Sequence, residues 1–147
     1  MSLLLDTCVV SDIARKSDVG LLAWAAAQDP LDLYLSELTL GEIEKGIELL
    51  AADHPRRQPL HDWSRNALPR EFGRRLLPLL RPTILAWGRL TAEGQRSGRP
   101  LPVIDGLLLA AAQVHDLTFV TRNTRDVDGR GVPVLNPYSG ITPPQRA

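Results

Sequence analysis

The chain has 147 residues and a single cysteine, Cys8, so an internal disulfide is excluded. A lone thiol fits a reducing compartment. No stretch reaches the roughly 18–20 uninterrupted apolar residues that a membrane-crossing helix needs. A secretory signal is not expected, because no basic segment precedes Leu3–Leu5 and Asp6 interrupts the apolar core. The expected location is the cytoplasm. Net charge is also missing, with 17 basic and 17 acidic side chains, so no global field announces a polyanionic partner. Glycine-rich phosphate loops and histidine metal motifs are absent. His54, His61 and His115 have no ligand spacing to acids or to the cysteine and are taken as structural or surface residues. With no repeat, low-complexity stretch or linker, one domain spanning 1–147 is expected.

What is present suits a globular core, at 44% hydrophobic and 23% charged residues. Leu3–Leu5, Leu33–Leu35, Leu76–Leu80, Leu117–Thr121 and Val132–Leu135 read as strands, the third weakened by Pro78. Helices are expected over Val9–Lys16, Val19–Gln28, Thr39–Ala52, Thr83–Arg96 and Val103–His115. Leu40, Ile43, Ile47 and Leu50 mark one buried stripe on the third of these. Strands alternating with helices predict an α/β sandwich around a largely parallel sheet. The proline-containing tail, Thr142–Ala147, is expected to fray.

Charge is unevenly placed. Seven arginines (56, 57, 65, 70, 74, 75 and 81) face only Asp62 and Glu71 between positions 56 and 81, a local excess of +5. Arg56, Arg57, Arg74 and Arg75 are candidates for binding RNA phosphates. A solvated helical face is the default use of such a segment, and docking of an acidic partner is a third. Trp63 and Phe72 within it have the shape to stack on bases, with core packing as the alternative.

Ligands of open α/β sheets sit beyond the carboxyl ends of the strands. Asp6 lies at such an end, as do Asn123 and Asp126 after Thr121, while Glu42 and Asp105 fall early in expected helices. Four convergent carboxylates would repel one another unless a cation sat among them. An all-oxygen set selects a hard ion, Mg²⁺ or Mn²⁺ before Ca²⁺, and such an ion suits phosphodiester hydrolysis by activated water. Each acid also has a structural use. Asp6 has the position of a helix cap, and Thr39-Leu40-Gly41-Glu42 matches a capping box. Asp105 suits a helix dipole, and Asp126 suits a surface loop. Asp105, inside the apolar run Val103–Leu108, is the acid that most needs a partner.

Four segments stand out in order: Leu4-Leu5-Asp6-Thr7 with Val9-Val10; Ser36-Glu37-Leu38-Thr39-Leu40-Gly41-Glu42-Ile43 with Gly46; Pro102-Val103-Ile104-Asp105 before Ala110–Ala112; and Phe119-Val120-Thr121-Arg122-Asn123 through Asp126-Val127. They resemble, in that order, the four motifs of the PIN-domain family, and within it those of the VapC toxins and their FitB-like relatives. The resemblance covers nearly the whole chain. It implies a three-layer α/β/α sandwich and Mg²⁺- or Mn²⁺-dependent ribonuclease activity. It also implies toxin action on RNA, a cognate VapB-type antitoxin that wraps the toxin, and a homodimer. Carried over by position, Asp6, Glu42 and Asp105 match the metal-binding acids. The fourth place falls on Asn123 or Asp126, with Asp126 preferred because it alone adds charge. Thr7 and Thr121 are candidates for orienting carboxylates, and Asn123 for hydrogen-bonding the site. Most relatives carry Asn where this chain has Cys8, so another group must orient Asp6 here. The helices over 9–28 and 39–52 are the expected dimer or antitoxin groove, with Trp24 as an exposed apolar docking residue.

Other functions fit less well. Receiver-type phosphotransfer needs clustered acids after the first strand and a late lysine, but the only lysines are Lys16 and Lys45. Phosphatases with an Asp-x-Asp start are excluded by Cys8. A catalytically inert PIN module that binds RNA or a protein is the remaining alternative, and the four retained acids argue against it.

Overall fold

The computed structural model describes residues 1–138. The tail expected to fray, Thr142–Ala147, lies outside the described residues. Five parallel strands form the sheet in the order β3-β2-β1-β4-β5. They are β1 (Leu3–Leu5), β2 (Leu33–Ser36), β3 (Leu76–Leu77), β4 (Thr118–Val120) and β5 (Val134–Leu135). In the central register Leu4 pairs with Tyr34 on one side and Phe119 on the other. β3 is an edge strand of two residues, which is where Pro78 forces the strand expected over 76–80 to stop.

Helices cover both faces. Before β3 come α1 (Thr7–Arg15), α2 (Val19–Ala26), α3 (Glu37–Glu48), α4 (Arg57–Asp62) and α5 (Leu68–Phe72). After it come α6 (Arg81–Arg96), α7 (Val103–Val114) and the one-turn α8 (Thr124–Val127). Side-chain alternation along the strands divides the core in two. Leu4, Phe119 and Val134 point into a cluster with Ala86 and Leu90 of α6 and Leu108 and Leu109 of α7. Leu3, Leu5, Val120 and Leu135 point the other way, onto Val9, Leu21, Ile43, Ile47 and Phe72. The result is the three-layer sandwich that the resemblance implied.

Two expected boundaries move for a local reason. α3 begins at Glu37 rather than Thr39, because the Ser36 hydroxyl caps it by accepting the Leu38 amide at 3.1 Å. Thr39 is therefore inside the helix, and its capping box with Glu42 does not form. The same helix ends at Glu48 instead of Ala52. Arg57 reaches back to its last turn and donates to the carbonyls of Ile47 and Leu50.

α6 and α7 pack closely because Gly106 has no side chain. A Cβ there would lie 3.1 Å from Leu101 Cδ2 and 3.1 Å from Trp87 Cδ1. That close approach fixes the first turn of α7 and with it Asp105. No helix among the described residues is long and apolar enough to cross a membrane.

Candidate active site

The carboxyl ends of β1 and β4 lie side by side at one edge of the sheet, followed by Asp6 and Thr121, and α3, which follows β2, brings Glu42 to the same cleft. Asp6 follows β1 and caps α1, with its Oδ1 accepting the Thr7 amide at 2.7 Å. Its own amide donates to the Val120 carbonyl at 2.9 Å, which ties the end of β1 to the end of β4. Buried Thr121, next along, donates its hydroxyl to Asp6 Oδ2 at 2.7 Å. Cys8 Sγ lies 3.4 Å from the same oxygen. Thr121 is thus the strong donor that orients Asp6 where a thiol is a weak one. Burial, followed by the charge of Asp6, raises the Cys8 thiol above its ordinary value, so the thiolate is not favoured here.

Glu42 sits one turn inside α3 and accepts the Thr7 hydroxyl on Oε1; Thr7 Oγ1 also lies 3.0 Å from Thr39 Oγ1. Asp105 is half-buried in the first turn of α7. The side-chain amide of Asn123 donates both to Asp105 Oδ2, at 3.3 Å, and to Asp126 Oδ2, at 2.9 Å. Both candidates for the fourth position therefore lie at the site, Asn123 as a bridge and Asp126 as an acid. Burial, then the charges of Asp6, Asp126 and Glu42, push the Asp105 carboxyl above its ordinary value. Acids from four separate segments thus feel one another. Asp6, Thr7, Glu42, Asp105 and Asn123 line one cleft of about 520 Å³.

The Asp126 loop is braced by two arginines that sequence reasoning missed. Arg130 donates to the carbonyls of Asp126 and Arg99, at 2.8 and 3.1 Å. Arg99 donates to the carbonyls of Arg125 and Asp128, at 2.9 and 3.1 Å. Arg99 lies 26 to 31 positions before the residues it meets, and no local motif marks them.

The family model for the PIN domain matches residues 3–128. The chain belongs to the PIN-domain family. Among curated relatives of this PIN domain, Toxin FitB of Neisseria gonorrhoeae is 29% identical over 137 residues, covering 92% of this chain and 98% of FitB. VapC ribonuclease Y4jK of Sinorhizobium fredii is 30% identical over 137 residues, covering 92% and 97%. Among solved structures, FitAcB from Neisseria gonorrhoeae matches with a TM-score of 0.85 at 29% identity, over 92% of this chain and 98% of that one.

The acids of this PIN domain fit a hard divalent ion by their chemistry. The donors are carboxylate oxygens, and their mutual repulsion and burial leave Asp105 in need of a counter-charge. They are not a tight set on their own. Among the described residues, the one group of His, Cys, Asp or Glu whose ligand atoms lie within 4.8 Å of one another is Glu44, Glu48 and His61. His61, taken from the sequence as a structural or surface residue, thus comes close to two acids that its spacing along the chain does not reveal. His61 is buried, with Nδ1 3.5 Å from Glu44 and Nε2 3.6 Å from Glu48. Spacing along the chain missed it because the two glutamates belong to α3 and the histidine to α4. Arg65 and Arg57 already bind those two carboxylates, at 2.6 and 2.8 Å, so the group is a charge-balanced ion-pair cluster.

The arginine segment behaves unlike a single basic face. Arg57 bonds Glu48 and the end of α3, and Arg75 donates to the carbonyls of Pro30, Leu33 and Glu71 while stacking over Phe72. Arg56 and Arg74 stay exposed. None of these four lines the acidic cleft; its cations are Arg15, Lys45 and Arg122. α1, α3 and α4 enclose a second, more apolar groove of about 590 Å³, which shares Thr7 and Glu42 with the cleft and takes in Trp63. Trp24, expected to be exposed, is half-buried against the core and does not line that groove.

Proposed function

We propose that this PIN domain, spanning 1–147 as a single unit, is a metal-dependent ribonuclease and the toxin half of a VapC-type toxin–antitoxin pair. The observation that carries this reading is the convergence of Asp6, Glu42 and Asp105 from distant segments onto one cleft, with Asp126 tied to Asp105 through the Asn123 amide. FitB and the VapC ribonuclease, similar over nearly their full lengths, support it. Asp6, Glu42, Asp105 and Asp126 are the residues that would hold Mg²⁺ or Mn²⁺. When bound, such an ion supplies Lewis-acid polarisation of a phosphodiester and of the attacking water.

The chain's own residues prepare that chemistry. Thr121 and the Thr7 amide hold the two Asp6 oxygens at fixed angles. The Thr7 hydroxyl fixes one oxygen of Glu42 and leaves the other for the cleft. Asn123 holds Asp105 and Asp126 together against their repulsion, so both acids arrive oriented. Fixed donors of this kind remove the reorganisation that flexible acids would need on each turnover. An antitoxin of VapB type is the proposed protein partner, docking on the groove between α1, α3 and α4, and the toxin acts as a homodimer. No observation favours the inert-module reading.

The test is cleavage of RNA by the purified chain in Mg²⁺ or Mn²⁺, compared with Asp6→Asn and Asp105→Asn. Both substitutions are expected to abolish cleavage while preserving the circular dichroism spectrum. Full activity in either variant would remove that acid from the mechanism. No cleavage by the wild-type chain with either ion would sink the nuclease reading as a whole. Sequencing RNA ends after brief expression would then identify the target of an active chain.

A further inference from the structure

The cleft is lined by carboxylates, yet a phosphodiester that enters it is itself an anion. Repulsion between RNA and the acid rim must be offset along the path of the strand as well as at the metal. The cations that line the cleft are therefore informative, and two of them share an anchor. Asp12 of α1 is buried at 6% exposure, with no role among the four acids. Its Oδ1 accepts Arg15 Nη2 at 2.5 Å, and its Oδ2 accepts the Tyr138 hydroxyl at 2.7 Å. Arg122 Nη1 lies 3.7 Å from that second oxygen, and the Arg122 guanidinium stacks 4.9 Å above the Tyr138 ring. A buried carboxylate is costly unless several partners satisfy it; here Tyr138 and Arg15 do so by hydrogen bonds, and Arg122 adds its charge from 3.7 Å.

The two arginines are held at their inner edges only. Their side chains remain 53% and 62% exposed, and a guanidinium has five N–H donors, most of which stay available. Both line the cleft that holds Asp6, Glu42 and Asp105. Arg122 directly follows Thr121, the residue that orients Asp6, so the cationic arm and the acid are set by one turn of backbone. A planar guanidinium fixed in orientation is suited to a phosphate in a way that a mobile lysine is not. Burial, and then its bond to Asp12, raise the Tyr138 hydroxyl above its ordinary range, which keeps it a proton donor to Asp12.

We propose that Arg15 and Arg122, locked in place by Asp12 and Tyr138, form a two-armed clamp for an RNA phosphate flanking the one that is cut. The inference rests on the ribonuclease reading for its substrate. Asp12 and Tyr138 are positioning residues, since they reach RNA only through the arginines. A clamp on a flanking phosphate contributes equally to ground and transition states, so it acts on KM and leaves kcat alone.

The experiment measures binding of a labelled mixed-sequence single-stranded RNA to the full chain in chelator, by fluorescence anisotropy across a salt series. Steady-state cleavage in Mg²⁺ or Mn²⁺ follows. Arg122→Ala is expected to weaken binding about tenfold, with a log–log salt slope shallower by about 0.7 for each phosphate it no longer neutralises. Its KM should rise correspondingly, with kcat unchanged within about twofold. Arg122→Lys should recover only part of the affinity, because it keeps the charge and loses the fork. Tyr138→Phe keeps both arginines and the ring but unlocks Asp12, and should raise KM in the same direction by a smaller factor. It carries the positioning test if Asp12→Asn does not fold. Arg96→Ala, an equal change in net charge at an exposed residue ending α6, is the control and should bind as wild type does. Unchanged affinity and slope in Arg122→Ala, or an equal loss in Arg96→Ala, would overturn the clamp. So would a fall in kcat with KM unchanged. A chain that binds RNA through these arginines but cleaves none would retain the clamp and remove the nuclease reading, so the two failures are distinguishable.

Discussion

Asp105→Asn should make the metal-free protein more stable while it destroys activity. The half-buried Asp105 carboxyl is held above its ordinary value of 3.8 by burial first and then by Asp6, Asp126 and Glu42. The bridging Asn123 amide keeps an Asp105 and an Asp126 oxygen within about 6 Å of one another, where two unit charges repel by about 0.7 kcal/mol even at water's dielectric constant. Burial enlarges that figure, whereas solvent and salt around a half-exposed group reduce it, so a net gain of about 1 kcal/mol is expected on neutralisation. In a chain of this size that corresponds to about 2–4 °C in Tm. Asparagine still accepts from Asn123, so the bridge is kept and the charge alone is removed.

The pH dependence has a definite sign. Protonated Asp105 escapes the repulsion and ionised Asp105 bears it. Its favourable contribution is therefore complete below the unfolded value of 3.8 and is lost as pH rises through the higher folded value. Wild type and Asp105→Asn should melt together toward pH 3.8 and separate above it, with the variant higher. Melting curves in chelator measure this, and repeating them with Mg²⁺ or Mn²⁺ should give the variant a smaller metal-induced rise than wild type. A variant that melts below wild type in chelator at neutral pH, or gains as much from the metal, would refute the account of four repelling acids.

Three further outcomes are expected. Saturating Mg²⁺ or Mn²⁺ should raise the wild-type Tm, since a ligand at about 100 times its Kd contributes about 2.7 kcal/mol to the native state, and chelation should stop RNA cleavage; no shift with either ion would remove the metal site. Thr121→Val removes the buried donor to Asp6 Oδ2 and should lower cleavage at least about tenfold, read as initial rate on the RNA target, with an unchanged rate showing that Asp6 is oriented by other means. Gly106→Ala forces a Cβ against Leu101 and Trp87 and should cost about 1–3 kcal/mol in urea unfolding, whereas an unchanged midpoint would show that α6 and α7 can separate freely.

The layers were legible because burial writes a period into sequence. Leu3, Leu4 and Leu5 are all buried yet divide between two cores, and Ile43 and Ile47 mark the inner stripe of α3. The acids were legible as positions, since a carboxylate at the end of an apolar strand or in an apolar helix has few structural uses. Boundaries were less so. Ser36 outcompeted Thr39 as the cap of α3 because β2 delivers Ser36 directly to the helix start, and a capping-box pattern carries no information about that. Trp24 looked like a docking residue because a large side chain on a short helix has no visible neighbour in sequence; its neighbours come from the other elements of the second core. Least legible were the pairings of remote segments. Tyr138 and Asp12 are 126 positions apart, and Arg130 meets Arg99 across 31, so neither partner predicts the other.

The arginines show why local charge is a poor guide to a nucleic-acid surface. The segment with the +5 excess is mostly helical between α3 and β3, and the ends of the helices and turns beside it leave backbone carbonyls without helical partners. Arg57 and Arg75 answer five backbone carbonyls between them, in this segment and in the elements it packs against, and Arg65 neutralises Glu44. Positive charge there is used to close the fold. The cleft takes its cations from Arg15, Lys45 and Arg122, which stand far apart in sequence and produce no run. A chain with no net charge can therefore offer RNA a cationic approach, provided that a few guanidinium groups are fixed beside the acids and oriented by a buried carboxylate such as Asp12.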